Sequence, residues 1–115
     1  MPLLKLSVSE KIDDSRRQSL LSQLSSMVAT CFSKPETYVM VIIEQNSIMM
    51  SGSIAPAAFA SLSSIGGINS KNNNAFAKKL CTFLNDEFRI EPNRVYINFV
   101  DVDAGNWGWN GGTFG

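Results

Sequence analysis

Apolar residues recur at two different spacings along the chain, and the spacing separates predicted helices from predicted strands. Between Asp13 and Phe32 they return every three or four positions, which predicts an amphipathic helix that begins with a run of capping residues. The same spacing predicts a second helix from about Ser70 to Arg89. The apolar stripe of the first helix comprises Leu20, Leu21, Leu24, Met27, Val28 and Cys31.

Four other segments have the composition of strands. The segment YVMVII, from Tyr38 to Ile43, is apolar at every position, which is typical of a strand buried on both faces. AFASLSS at 58–64 alternates between apolar and polar residues, and VYINFV at 95–100 follows the chain-breaking EPNR. The opening MPLLKL predicts a further strand, because proline is tolerated at the first position of a strand, where Pro2 stands.

The predicted elements fall into two similar halves. A shift of 56 residues places Leu20 on Phe76 and Leu24 on Leu80, and it also places Val39 on Val95 in the strand that follows. Each half is a strand, a helix and a strand, and such crossovers are right-handed. We therefore expect an α/β fold in one domain, residues 1–115, with two βαβ pseudo-repeats forming a four-stranded mixed sheet and two antiparallel helices on one face.

In this fold the helices cover only one face of the sheet. Because YVMVII is apolar throughout, the other face needs cover from outside the chain. Hydrophobic residues make up 44% of the chain and charged residues 17%, which is apolar for a small monomer and favours self-association. The tail NWGWNGGTFG could add a strand to a neighbour, rim a pocket, or pack as a turn on its own subunit.

Charge and composition exclude several classes of function. Ten basic residues balance ten acidic ones and are scattered, so nucleic acid is not an expected partner. No apolar run is long enough for a membrane span and no signal peptide is recognisable, so a cytoplasmic location is expected, with leaderless secretion left open. Without histidine, and with Cys31 and Cys81 outside any ligand spacing, we expect buried reduced thiols and no metal or cofactor.

Pro2 can supply a general base in a chain that has no histidine and no expected metal site. Removal of Met1 would leave a secondary amine that the proline ring holds at the start of a strand. An α-amino group titrates near ~8 in water, and an apolar pocket and a nearby cation would lower its pKa toward the range of an effective general base. Leu3, Ile65 and Phe114 are candidate walls, and Lys34 is the candidate cation. If Met1 is retained, the Pro2 nitrogen is an amide and no base is present.

Five short motifs resemble the macrophage migration inhibitory factor branch of the tautomerase superfamily. They are Pro2 after Met1, SKP at 33–35, SIGG at 64–67, RVYINF at 94–99 and GWNGGTF at 108–114, and together they span nearly the whole chain. The resemblance implies a homotrimer with active sites between adjacent subunits. It also implies a cofactor-independent keto–enol tautomerase for phenylpyruvate-like substrates, small aromatic 2-keto acids or their enols, with dopachrome-like compounds as further candidates.

The resemblance implies a role for each site residue. Pro2 would shuttle the proton, and Lys34 together with the Ile65 N–H would hold a substrate carboxylate or oxygen. Tyr96 and Asn98 of the neighbouring subunit would line the site and donate hydrogen bonds. The other candidate lining residues are Leu3, Tyr38, Trp107, Trp109 and Phe114. Structural explanations stand beside these roles, since a cation such as Lys34 is favourable after a helix C-terminus and Asn98 could serve an intersubunit hydrogen bond.

The chain departs from the family pattern at two places. Where animal members often have a Cys-X-X-Cys pair, residues 57–60 are AAFA, so a thiol oxidoreductase activity is not expected. Trp107 and Val100 replace a smaller aliphatic residue and a tyrosine, which changes the rim of the site and leaves the preferred substrate open. Two other functions are consistent with the sequence: a cytokine-like ligand of a receptor-type protein with vestigial catalysis, and a ferredoxin-like regulatory module without catalysis.

Overall fold

The computed structural model describes residues 1–115 and contains two long helices and a four-stranded sheet. In chain order the elements are β1 Leu3–Val8, α1 Asp14–Phe32, β2 Met40–Gln45, β3 Ala58–Ser64, α2 Ser70–Phe88 and β4 Val95–Asp101. A small hairpin follows, formed by β5 Gly108–Trp109 and β6 Gly112–Thr113. Short 3-10 helices lie at Glu36–Tyr38, Pro92–Arg94 and Ala104–Asn106.

The sheet has the strand order β2-β1-β3-β4. β1 is parallel to β2, β3 is parallel to β4, and the central strands β1 and β3 are antiparallel to each other. Each parallel pair is joined through a helix, and the helices run antiparallel because the two halves do. The predicted α/β fold, two βαβ pseudo-repeats in a mixed sheet with both helices on one face, is confirmed.

The repeat extends through both helices to their caps. Each helix has 19 residues, and the shift of 56 predicted from the sequence places α1 on α2 from end to end. Both helices begin at a side-chain cap, Asp13 for α1 and Asn69 for α2, and both end at a left-handed residue, Ser33 or Arg89. The two halves are therefore equivalent in backbone as well as in apolar pattern.

The core lies between the helices and one face of the sheet. β1 and β3 contribute every second residue to it, and each helix contributes one stripe. Its largest fully buried side chains are Leu4, Leu6, Leu20, Leu24, Leu62, Phe76, Leu80, Leu84 and Ile90. Cys31 and Cys81 are free, but they are only partly buried where the sequence predicted buried thiols, and Cys31 packs against the core. Burial raises the pKa of both thiols. Neither helix combines the length and hydrophobicity that crossing a membrane requires.

One detail of the strand prediction at 38–43 is wrong. The strand begins at Met40, because the Tyr38 N–H bonds the Pro35 carbonyl and closes a 3-10 turn first. Within one chain only one face of the strand is covered, and Met40 and Ile42 on the other face are 61% and 37% exposed, as expected for a face that needs cover from outside the chain. These two side chains lie on the face of the sheet that carries no helix, which we call the open face.

Candidate active site

Pro2 is buried immediately before β1. Its carbonyl accepts a hydrogen bond of 3.0 Å from the Met40 N–H, so the parallel pairing with β2 extends to Pro2 and fixes its position. Met1 precedes it, and the pKa of the Met1 amine lies below its ordinary value of 8.0. Burial is the larger cause and the nearby Lys34 ammonium is the second. A basic nitrogen at this end of the chain is therefore destabilised in its charged form.

Pro2 contributes to the wall of a cavity of about 400 Å³. Most of its lining is hydrophobic, and the chain segments before β2 and around the C-terminal hairpin contribute as well. The structure brings together six of the predicted site residues here: Pro2, Leu3, Tyr38, Trp107, Trp109 and Phe114. The cavity is thus an apolar pocket of the kind that lowers the pKa of an amine.

Aromatic rings form one wall of this cavity. Trp109 and Phe114 stack with centroids 5.5 Å apart, and the edge of Tyr38 approaches both rings, at 5.8 and 6.2 Å. The hairpin that carries Trp109 turns through Asn110 and Gly111, both with positive φ, which is the geometry of a tight two-residue turn. Of the alternatives for the tail, the structure has it folded on its own subunit, where it rims the pocket.

Lys34 and Ile65 lie together, but within one chain neither of them lines this cavity, although Ile65 was expected as one of its walls. Lys34 follows the left-handed Ser33 at the end of α1, and its Nζ donates a hydrogen bond of 2.8 Å to the Ile65 carbonyl. Gly67 lies beside this side chain with φ of +78°, a backbone conformation that favours glycine. The Lys34 ammonium also acts on the terminal amine, because its positive charge lowers the pKa of the Met1 amine.

Asp101 is a neighbour of this pair that the sequence analysis missed. It is the last residue of β4, opposite Ser64 in the parallel pairing with β3, and its Oδ1 accepts a hydrogen bond of 3.2 Å from the Gly66 N–H. The available sequence signal was weak: an acidic residue that ends a strand predicts no particular partner. Only the pairing of β3 with β4 brings it to the SIGG turn.

Tyr96 and Asn98 do not reach the cavity within one chain. Both lie on β4, at the opposite edge of the sheet from β2, and both are exposed on the open face, Tyr96 to 66%. The structure contains no cluster of three or more His, Cys, Asp or Glu side chains that could hold a metal ion. One chain therefore supplies the Pro2 pocket and the Lys34–Ile65 pair, but not the two hydrogen-bond donors expected from a neighbour.

Comparison with known proteins connects this site to a family. The family model described as "Macrophage migration inhibitory factor (MIF)" matches residues 1–115. A macrophage migration inhibitory factor of Meriones unguiculatus is 44% identical over 98 residues, which cover 84% of this chain and 85% of that protein. A homolog from Trichinella spiralis is 40% identical over 115 residues, covering 99% and 100% of the two chains.

Solved structures agree with the sequence relatives. The crystal structure of a macrophage migration inhibitory factor homologue from Prochlorococcus marinus has a TM-score of 0.92 and 33% sequence identity, and the match covers 98% of this chain and 99% of that one. The sheet, both helices and the residues around Pro2 thus belong to one shared fold. With the family model matching the whole chain, the protein belongs to the macrophage migration inhibitory factor family.

Proposed function

We propose that this protein is a cofactor-independent keto–enol tautomerase whose general base is the Pro2 amine, freed by removal of Met1. Its family is one of tautomerase-superfamily isomerases in general. The observation that carries the proposal is the setting of Pro2: it lies at the wall of an apolar cavity, next to the Met1 amine, whose pKa is lowered by burial and by Lys34. An amine at Pro2 would lie in the same surroundings. A base with a pKa near the working pH is the most effective proton shuttle.

The proposed substrates are phenylpyruvate-like 2-keto acids and their enols. Their carboxylate would bind the Lys34 ammonium and the Ile65 N–H, and their ring would lie on the aromatic wall. In the keto-to-enol direction the Pro2 nitrogen takes a proton from the carbon beside the keto group, and that C–H electron pair forms the C=C bond as the oxygen becomes an enolate. The same nitrogen then returns the proton to the oxygen. Enol-to-keto conversion runs these steps in reverse.

We further propose that the complete site forms between subunits of a homotrimer. The open face carries exposed apolar residues at both edges of the sheet, Met40 and Ile42 on β2 and Val100 on β4, which a neighbouring copy would cover. Tyr96 and Asn98 lie on that face, where a neighbour's Pro2 pocket could take them up as hydrogen-bond donors. This arrangement supports the expected assembly and explains why one chain has an incomplete site.

The decisive experiment compares three forms of the protein in the conversion of phenylpyruvate or 4-hydroxyphenylpyruvate. They are wild type shown by intact mass to begin at Pro2, Pro2→Gly, and a form shown to retain Met1. The Met1-retaining form should lose about 10²- to 10⁴-fold in rate, since its Pro2 nitrogen cannot act as a base. Pro2→Gly should also be slower, because its amine is less basic and is not fixed by a ring. Equal activity in all three forms would exclude Pro2 as the base.

A cytokine-like function is the second candidate, and the names of the relatives at 40–44% identity favour it. In this case the protein would act as a ligand of a receptor-type protein, and the pocket would be a vestige. No turnover by a correctly processed trimer would support this function over the enzymatic one. A cytoplasmic location and leaderless secretion stay predictions from the sequence.

A further inference from the structure

In the turn after β3, both polar groups of the Ile65–Gly66 peptide unit are hydrogen-bonded to side chains. The Ile65 carbonyl accepts from Lys34 Nζ at 2.8 Å, and the Gly66 N–H of the same peptide unit donates to Asp101 Oδ1 at 3.2 Å. Lys34 reaches the turn from the end of α1, and Asp101 reaches it from the end of β4. The orientation of this peptide plane is therefore fixed by two side chains of opposite charge.

The preceding peptide unit is held at one end only. Its carbonyl, on Ser64, accepts a hydrogen bond of 2.9 Å from the Val102 N–H. Its N–H, on Ile65, has no acceptor within the chain. Because the carbonyl and N–H of a trans peptide point in opposite directions, the Ile65 N–H points away from the strand end that holds the carbonyl. This donor is available to an anion.

The two glycines of this turn explain why the hydrogen bond to Asp101 is needed. Gly66 and Gly67 have φ of +75° and +78°, and without a Cβ such residues can adopt many other backbone conformations. If the Ile65–Gly66 peptide rotated, its carbonyl would turn away from Lys34 and the ammonium would lose its place beside the Ile65 N–H. Asp101 is the side chain that opposes this rotation at the N–H end of the peptide.

We propose that Asp101 is a positioning residue, which fixes the Ile65–Gly66 peptide so that the Lys34 ammonium and the Ile65 N–H stay together as one carboxylate-binding pair. The role extends the proposed tautomerase function, since it concerns how that site binds the carboxylate of its substrate. Asp101 does not touch the substrate or Pro2. Its loss should therefore weaken binding and leave the proton-transfer step nearly unchanged.

Three variants of the processed protein test this role. Asp101→Ala removes the acceptor, Asp101→Asn keeps an amide oxygen at the same place without the charge, and Asp103→Ala removes a nearby exposed carboxylate that caps no helix through its side chain. We expect Asp101→Ala to raise the KM for phenylpyruvate about three- to tenfold, the effect of one lost hydrogen bond, with kcat changed less than about twofold. Asp101→Asn and Asp103→Ala should both stay close to wild type.

A binding experiment makes the test independent of turnover. Phenylacetate has the ring and the carboxylate but no keto group, and its binding can be followed by NMR through the Ile65 amide signal. Its dissociation constant should rise about three- to tenfold in Asp101→Ala and stay near wild type in Asp101→Asn. If wild type binds phenylacetate in this way but converts no phenylpyruvate, the tautomerase proposal fails and the role of Asp101 in binding stands.

Other outcomes would overturn the role of Asp101. Among them are an unchanged KM and dissociation constant in Asp101→Ala, an equal rise in the Ala and Asn variants, a lower kcat at unchanged KM, and absence of phenylacetate binding to wild type. If Asp101→Ala does not fold, Asp101→Ser replaces it, because the shorter hydroxyl cannot reach the Gly66 N–H. Circular dichroism and light scattering establish that each variant keeps the fold and assembly of wild type.

Discussion

The two βαβ halves agree in their core and differ in the residues proposed for chemistry. Their helices superimpose under the shift of 56, and both helices are followed by a left-handed residue. One residue later the halves diverge: Lys34 is partly exposed and its Nζ bonds the Ile65 carbonyl, whereas its counterpart Ile90 is fully buried in the core. Pro2 likewise corresponds to Ala58, an ordinary residue of β3. The core is built from positions that are equivalent in the two halves, and the proposed active site is built from positions at which the halves differ.

The open face shows the same divergence. Ile42 on β2 corresponds to Asn98 on β4, and Met40 corresponds to Tyr96, so two apolar side chains in one half correspond to two side chains with hydrogen-bonding groups in the other. The proposed intersubunit site uses this difference, because one copy would supply the pocket and the next copy the hydrogen-bond donors. Four substitutions or pairs of substitutions test this comparison between the halves.

The largest effect on stability is expected when the lysine of position 34 is placed at its counterpart, position 90. Ile90→Lys puts an ammonium at a fully buried position without a partner, and should lower the free energy of unfolding by about 3–5 kcal/mol. Urea unfolding followed by circular dichroism measures this loss. Unchanged stability would mean that position 90 opens to solvent as readily as position 34, and the contrast between the halves would be lost.

Core positions should respond alike in both halves. Leu24 and Leu80 are counterparts and both are fully buried, so Leu24→Ala and Leu80→Ala should each cost about 2–5 kcal/mol of stability. Urea unfolding of both variants under one set of conditions provides the comparison. A loss confined to one of them would show that the two helices contribute unequally to the core despite their matching pattern.

Placing the isoleucine of position 90 at position 34 should affect activity and not stability. Lys34→Ile replaces the cation by the residue type of the other half, and it should lower kcat/KM for phenylpyruvate about 10- to 100-fold through the lost charged hydrogen bond. Steady-state kinetics on the processed protein measures this. The control is Lys71→Ile, an exposed lysine in the first turn of α2, which should leave the rate unchanged. A similar fall in both variants would assign the effect to overall charge.

The smallest effect concerns the proton affinity of the chain's first amine when Met1 is kept. Burial and Lys34 lower the pKa of this amine, so the unfolded chain binds the proton more readily and stability should decrease as pH falls from 8.0 through the lowered pKa. Lys34→Met should raise the pKa part of the way back, because burial, the larger cause, remains. The pH dependence of N-terminal acylation measures the pKa. An unchanged profile in Lys34→Met would exclude electrostatic contact between the two groups.

The helices and the repeat were predictable because their signals are local and redundant. Several apolar residues, a capping residue and a chain break agreed at each helix, so both predicted ranges end within one residue of the observed helices. The start of β2 was mispredicted because the apolar Tyr38 has the composition of a strand while Pro35 directs a 3-10 turn. Composition alone does not distinguish these two outcomes.

The site was predictable only in part. Pro2 and the aromatic residues of the tail are near one another because β1 pairs with β2, and the family motifs indicated that grouping. Asp101 escaped notice because its contact with Gly66 depends on the pairing of β3 with β4. Tyr96 and Asn98 lie away from the cavity of their own chain, and a single sequence does not specify how the next copy approaches them.

The position of the first two residues in the cavity wall has a practical consequence for protein production. Met1 and Pro2 both line the cavity, so an affinity tag placed ahead of them would have to leave through the pocket and would keep the Pro2 nitrogen acylated. A preparation made in this way would be well folded and inactive under the proposed mechanism. A cleavable fusion that leaves Pro2 as the first residue avoids this false negative.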